Sequence, residues 1–256
     1  MRELVFECES VTPMFMYGAD NKTPELRPAS IKGVMRFWWR AINGDLPLDK
    51  LKKQEDEIFG STEKRSSFSI RVNEDLKSKK EYPLPHKKKG DKGYHQKNAF
   101  ITNQTFQVIF RGKNLELISN IFKLSTLLGG FGQRSRRGFG SIRVIKRDNN
   151  KELYSLEKIE GFIENIPKFP NLTNQHYPYI REIELGKSYN SFERLLETIG
   201  EASHLYDSDA LGYARGKNRL ASPIYVSVFK LGEKDFKPII TTLNNSSVTN
   251  FKKAIL

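Results

Sequence analysis

The chain has 256 residues, 38% apolar and 11% aromatic, with a formal net charge of +13 and an isoelectric point near 9.6. This length holds one large or two small domains with a real core, and the composition excludes a disordered chain. No stretch approaches the roughly 18 apolar residues of a membrane span, the first residues lack the apolar region of a secretory leader, and a single cysteine, Cys8, excludes an internal disulfide or a cysteine zinc cluster and points to the cytoplasm.

The charge is one-sided. Residues 1–150 hold 29 Lys and Arg against 17 Asp and Glu, a balance of +12, whereas residues 151–256 hold 14 against 13, a balance of +1. An excess confined to one part of a chain favours a polyanion as that part's partner.

In chain order, Glu3–Ser10 alternates Leu4, Phe6 and Cys8 with glutamates and predicts a strand. Thr12–Gly18 reads as an extended or looping segment with too many apolar residues for a simple turn, and Asp20–Ala29 as a loop with Pro24 and Pro28. Ser30–Asn43 predicts a helix: Ile31, Val34, Met35, Trp38 and Ile42 share one face. Lys32, Arg36 and Arg40 line another face at four-residue spacing, with no acid between them. Like charges so placed repel by a few tenths of a kcal/mol per pair. The stripe is therefore either an ordinary solvated face or one that meets a polyanion. Trp39, beside it, is a core residue or a base-stacking platform.

Lys50–Gly60 predicts a second, more acidic helix, and Ser67–Val72 a strand. Residues 74–97 carry eight lysines with Pro83, Pro85, Gly90 and Gly93, and read as an insertion or long loop, either plain solvated charge or an arm that contacts backbone phosphates. Phe100–Arg111 predicts a strand, Asn114–Leu128 a helix and Ser141–Lys146 a strand. The order strand, helix, strand, strand, helix, strand is that of the split βαβ, ferredoxin-like unit. Between its second helix and last strand lies Leu127–Ser141, where Gly129, Gly130, Gly132, Gly138 and Gly140 surround Arg134, Arg136 and Arg137. Glycine lets backbone approach a partner closely, and arginine offers a planar fork of donors to phosphate.

Residues 151–178 read as a linker with a short helix near Leu156–Asn165. A second round follows: strand Tyr179–Leu185, helix Phe192–Leu205, a poorer Gly/Arg loop at Leu211–Asn218, strands Leu220–Phe229 and Pro238–Leu243, and a terminal helix at Val248–Leu256. The expected fold is α+β: two ferredoxin-like (RRM-like, split βαβ) domains in tandem, residues 1–150 and 179–256, the second incomplete or divergent.

The glycine loop is neither a P-loop, since no Gly-Lys-Ser/Thr follows, nor a dinucleotide fingerprint, since it lacks the third glycine and follows a helix. No His, Cys, Asp and Glu cluster has metal-ligand spacing, so no metal, cofactor or catalytic residue is expected. Of the histidines His86, His95, His176 and His204, only His204, with Tyr206, offers an acid–base pair for a ribonuclease. The residues expected to hold an RNA backbone are Lys32, Arg36 and Arg40 on the helix and Gln133, Arg134, Ser135, Arg136 and Arg137 in the loop.

Three stretches carry a resemblance: Thr12-Pro13-Met14-Phe15 with Gly18-Ala19-Asp20, Glu25 to Ala41 (ELRPASIKGVMRFWWRA), and Arg219-Leu220-Ala221-Ser222-Pro223. With the loop Gly130–Gly140, they resemble the RAMP superfamily and, within it, the first-named subunit of the Cmr effector complex of type III-B CRISPR systems. The resemblance implies tandem RAMP domains in an RNA-guided antiviral complex. It implies CRISPR guide RNA, target RNA and other Cmr subunits as partners, with contacts near the 3′ part of the guide and no catalysis by this subunit. The alternatives are a metal-independent guide-processing endoribonuclease on the same superfold and a scaffold whose basic face meets an acidic protein.

Overall fold

The structure, a computed structural model, describes residues 2–152, 155–173, 177–206, 208–215, 217–244 and 249–256. The first half runs β1 (Glu3–Ser10), α1 (Pro28–Ala41), α2 (Leu48–Phe59), β2 (Phe68–Asn73), β3 (Ser78–Glu81), β4 (Lys97–Phe100), β5 (Thr105–Gly112), α3 (Leu115–Leu128), β6 (Ile142–Arg147) and β7 (Asn150–Lys151). The second runs α4 (Leu156–Glu164), β8 (Ile180–Leu185), α5 (Phe192–Leu205), β9 (Tyr213–Arg215), β10 (Asn218–Leu220), β11 (Ile224–Gly232), β12 (Asp235–Leu243) and α6 (Thr249–Lys253).

Strand β1 is central in an antiparallel sheet of order β2-β5-β1-β6-β7, with Phe6 opposite Val108 on one side and Arg147 on the other. Its alternation buries Leu4, Phe6 and Cys8. Burial pushes the Cys8 thiol well above the range where it ionises. Helices α1 and α3 cover that face, Phe6 meeting Phe122 at 4.9 Å and Phe110 at 5.9 Å between ring centres. Helix α1 starts with Pro28, whose missing N–H costs nothing in a first turn. The second sheet has the order β11-β12-β8. Read from β8 outward, it repeats the order β1-β5-β2 of the first; among the described residues no strand takes the place that β6 has beside β1.

The structure differs from the sequence reading in three places. Residues 74–97 are not one loop: β3 and β4 pair antiparallel, Ser78 opposite Phe100 and Glu81 opposite Lys97. The tip is held by Tyr82 stacked on Tyr94 at 4.8 Å, their hydroxyls 2.9 Å apart. The expected strand Phe100–Arg111 divides into β4 and β5 at Asn103, which adopts a left-handed φ of 58°. Leu211–Asn218 contains strand β9 and leads into β10, its antiparallel partner.

Thr12–Gly18 is a buried strap. Val11 and Met14 donate backbone hydrogen bonds to Ser141 (2.9 Å) and Phe100 (3.1 Å), and Gln133 donates to Phe15 (2.8 Å). Its side chains alternate between two cores: Met14 and Met16 join the core of the first sheet, while Val11, Phe15 and Tyr17 join a core built with Leu195, Ile199, Val226 and Phe251. A third core packs Trp38, Leu124 and Leu128 against Ile159, Ile180 and Phe229. Two of the three cores thus draw on both halves, and α4, in the expected linker, contributes Ile159 and Ile163.

Candidate nucleic-acid interface

The glycine–arginine loop lies where the halves meet. Gly138 has φ +83°, and a Cβ there would come within 2.8 Å of Leu196 and 3.1 Å of Val228, both in the second half. Gly140 has φ +68°, and its Cβ would overlap the Phe131 carbonyl oxygen. These glycines permit close packing within the protein, where the sequence suggested close approach to a ligand.

The arginines divide accordingly. Arg136 donates to the Ser222 carbonyl (2.8 Å) and lies 4.7 Å over the Tyr225 ring. Arg137 donates to the Ile224 carbonyl and the Ser222 hydroxyl, each at 3.2 Å, and lies over Phe251. Burial, with Arg134 and Arg136 alongside, pushes the Arg137 guanidinium down to about 10. Both side chains fasten the loop to the second half. Arg134 holds a left-handed φ of 59°. It is half-buried, its Nε has no hydrogen-bond partner among the described residues, and burial lowers its pKa. Gln133 is exposed and accepts a hydrogen bond from Lys97 Nζ at 3.0 Å, while Ser135 is half-buried.

The stripe on α1 is answered from within. Arg40 donates to both carboxylate oxygens of Glu55 at 2.5 Å, and Arg36 lies 3.2 Å from the same group and donates to the Gly60 carbonyl at 2.6 Å. Glu55, on α2, is 5% exposed. The repulsion that pointed to an external polyanion is thus relieved by an acid 15 residues after Arg40, beyond the reach of helix-period reasoning. Lys32 sits 5.0 Å over the Phe68 ring. Trp39 is core, packed on Phe59. The stripe lies against α2 and β2, the loop against β11 and α5; the structure does not join them into one track.

The sequence reading assigned no individual lysine of the ribbon formed by β3, β4 and their connection. Lys80, Lys88, Lys89 and Lys92 are exposed, with no carboxylate partner among the described residues. The ribbon reaches the loop through Lys97 and Gln133 and rests on α5 through His86, whose ring stacks on His204 at 5.8 Å. Burial lowers the His86 pKa, and Lys87, Arg134 and His204 add to this. Ser222, which holds both loop arginines, was also unassigned; its signal was the stretch Arg219–Pro223. Among the described residues no group of three or more His, Cys, Asp and Glu side chains could hold a metal ion, and no helix is long and apolar enough to cross a membrane.

Residues 7–143 match the model of the RAMP superfamily. Two Pyrococcus furiosus proteins are similar along the chain. The CRISPR system Cmr subunit Cmr1-2 is 32% identical over 180 residues, 56% of this chain and 96% of the relative. Subunit Cmr1-1 is 31% identical over 235 residues, 79% of this chain and 68% of the relative. The chain belongs to the RAMP superfamily, in its Cmr1 family. Solved structures share the fold. Cmr1 from Pyrococcus furiosus in its apo form aligns at a TM-score of 0.68 with 21% identity, over 100% of this chain and 96% of that one. A chain of the type III-B Cmr-beta complex bound to cognate target RNA aligns at 0.71 with 11% identity, over 99% of each. The superfamily match ends at Arg143 in β6, so it contains α1, the strap and the glycine loop, whereas the Ser222–Tyr225 seat of the arginines lies outside it.

Proposed function

We propose that this Cmr1-family protein is a non-catalytic RNA-binding subunit of a type III-B CRISPR effector complex. It holds the backbone of guide or target RNA near the 3′ part of the guide and docks on neighbouring Cmr subunits. Its fold is a tandem of ferredoxin-like units, the second without a final strand among the described residues. The observation that carries the reading is the lysine ribbon: Lys80, Lys88, Lys89 and Lys92 are exposed without carboxylate partners among the described residues, and Lys97 joins the ribbon to the exposed Gln133, next to the half-buried Arg134 of the glycine loop. Cations on a mobile stem suit phosphates, and phosphate contacts position RNA without reading its sequence. That fits a machine whose specificity comes from base pairing. The fold neighbour from a target-RNA-bound Cmr-beta complex supports the same reading.

The test is binding of a labelled single-stranded RNA over a salt series. Changing Lys88, Lys89 and Lys92 to Gln removes three phosphate contacts and should flatten the log–log salt slope by about 2, at roughly 0.7 per contact on single strands. An unchanged affinity and slope overturn the assignment of the ribbon.

A second reading, a metal-independent guide-processing endoribonuclease, draws on the stacking of His204 with His86. It predicts RNA cleavage in chelator by the purified protein, abolished by His204→Ala; intact RNA removes it.

A further inference from the structure

The two edges of the second sheet are treated differently. At β11 the first half supplies the missing partners. Arg137 donates to the Ile224 carbonyl and Arg143 to the Lys230 carbonyl, each at 3.2 Å, and the Val228 N–H donates to the Ser141 hydroxyl at 2.9 Å. At the other edge β8 pairs with β12 alone among the described strands. The Gly186 N–H donates to the Pro238 carbonyl at 2.9 Å. Antiparallel alternation from that pair turns the backbone groups of Glu182 and Glu184 to β12 and those of Ile183 and Leu185 outward. Phe169 closes the start of that outer side, donating to the Ile180 carbonyl at 2.8 Å, but no described residue bonds the outward groups of Ile183 and Leu185. Such a row of N–H and C=O groups is a template for another strand.

Strand β1 shows what chemistry fits. It holds the corresponding place in its own sheet and carries Glu7 and Glu9 at the spacing of Glu182 and Glu184. Beside it β6 sets Lys146 opposite Glu7 and Arg143 opposite Glu9, with ion pairs of 3.0 and 2.8 Å, and buries Ile142 and Val144 between. Beside β8 a single ammonium, Lys252 of α6, serves both carboxylates, and Glu182 stays exposed. On the opposite face Ile183 and Leu185 are half-buried at the rim of the third core.

We propose that the outer edge of β8 is a strand-addition site for a partner protein. It takes an extended segment, antiparallel as β6 is to β1, that alternates cationic and apolar residues. The cations lie beside Glu182 and Glu184, the apolar side chains beside Ile183 and Leu185, and main-chain hydrogen bonds supply the affinity. A second copy of this chain fits poorly. Antiparallel self-pairing centred on Ile183 sets Glu182 against Glu184 of the other copy at both ends, and like charges directly opposite are destabilising. The inference specifies the docking part of the function proposed above. It shares no residue with the ribbon, so loss of RNA binding there leaves it standing.

The test uses the isotope-labelled full chain, with amide exchange read residue by residue by NMR, and the end-blocked peptide Thr-Lys-Val-Lys-Val-Lys-Thr as probe. In the free chain Ile183 and Leu185 should exchange faster than Glu182 and Glu184; equal protection overturns the open edge. At about ten times its Kd the peptide should slow the two outward amides about tenfold. N-methylation of both valines, whose amides face β8 in this pairing, should abolish the effect, and N-methylation of the lysines should not. The counterpart Thr-Glu-Val-Glu-Val-Glu-Thr should give little protection. These comparisons need no variant to fold. Glu182→Lys combined with Glu184→Lys should reverse the preference between the two peptides. Outward amides unmoved by the lysine peptide overturn the site, and equal protection by the glutamate peptide overturns the proposed occupant. Protection that rises with chain concentration in the absence of peptide assigns the edge to a second copy and overturns the partner strand.

Discussion

The glycine–arginine loop and the lysine ribbon adjoin at Gln133 and Lys97, carry the same sign of charge, and use it in opposite ways. Arg136 and Arg137 direct their planar forks to the carbonyls of Ser222 and Ile224 and to aromatic faces, and so join two halves of a fold. Lys80, Lys88, Lys89 and Lys92 project into solvent without carboxylate partners among the described residues. A guanidinium keeps its charge when partly buried and can satisfy several carbonyls at once; an ammonium is more strongly hydrated and stays out. Between these two segments, residue type more than the number of charges therefore separates the cations held inside the protein from those that face solvent.

The largest expected effect falls on the joint. Gly140→Ala forces a Cβ onto the Phe131 carbonyl at a φ of +68° and should destabilise the protein by about 3 kcal/mol or more, read as a lower urea midpoint. A midpoint within error of the parent would refute the packed account of the loop. Glu55→Gln comes next. It leaves Arg36 and Arg40 without their shared counterion, and since both arginines are about a quarter to a third exposed the loss is discounted to about 2 kcal/mol. Its RNA salt slope should match the parent; a steeper slope would show that the stripe meets RNA once released.

Smaller still is a pH effect at the ribbon's seat. His86 has a folded pKa below its ordinary 6.5, so the unfolded chain binds the proton more readily. Stability is then highest above that value and falls as pH drops from about 6.5 towards the lowered folded value. Hydrogen-exchange protection factors across residues 82–96, with the intrinsic pH dependence of exchange divided out, should fall in that window, and His86→Gln should remove the dependence. Glu9 acts lower: burial alone would raise its pKa, but the hydrogen bonds from Lys230 and Arg143 outweigh it, so its contribution, present above 4.5, is lost as pH falls through the lowered folded value. The least effect on stability, within about 0.5 kcal/mol, is expected for Lys88, Lys89 and Lys92 changed to Gln, although these are the substitutions that should flatten the RNA salt slope.

Helices α1, α3 and α5 and strand β1 were legible because each has one buried face and a clear period. The halves' order of elements followed from them. The ribbon was not legible: Ser78–Glu81 reads SKKE, exposed at all but Glu81, and its pairing with Lys97–Phe100 is a long-range fact. The strap was not legible either, because an element apolar on both sides shows no alternation. At the candidate site, clustered charge was plain in the sequence, but the partners that engage it, Glu55 for the stripe and Ser222 for Arg136 and Arg137, lie 15 to 86 residues away.

The strap has a mechanical consequence. One edge is bonded to the ribbon, Met14 exchanging hydrogen bonds with Phe100 at 3.1 and 3.0 Å, and at the next residue Phe15 accepts from Gln133 of the glycine loop at 2.8 Å. Only one peptide unit separates the two attachments. Tension applied to the ribbon is therefore delivered to the line where the halves meet, through a tendon whose consecutive side chains are anchored in different cores. A deletion of one residue there would exchange those anchors and unseat both ends together.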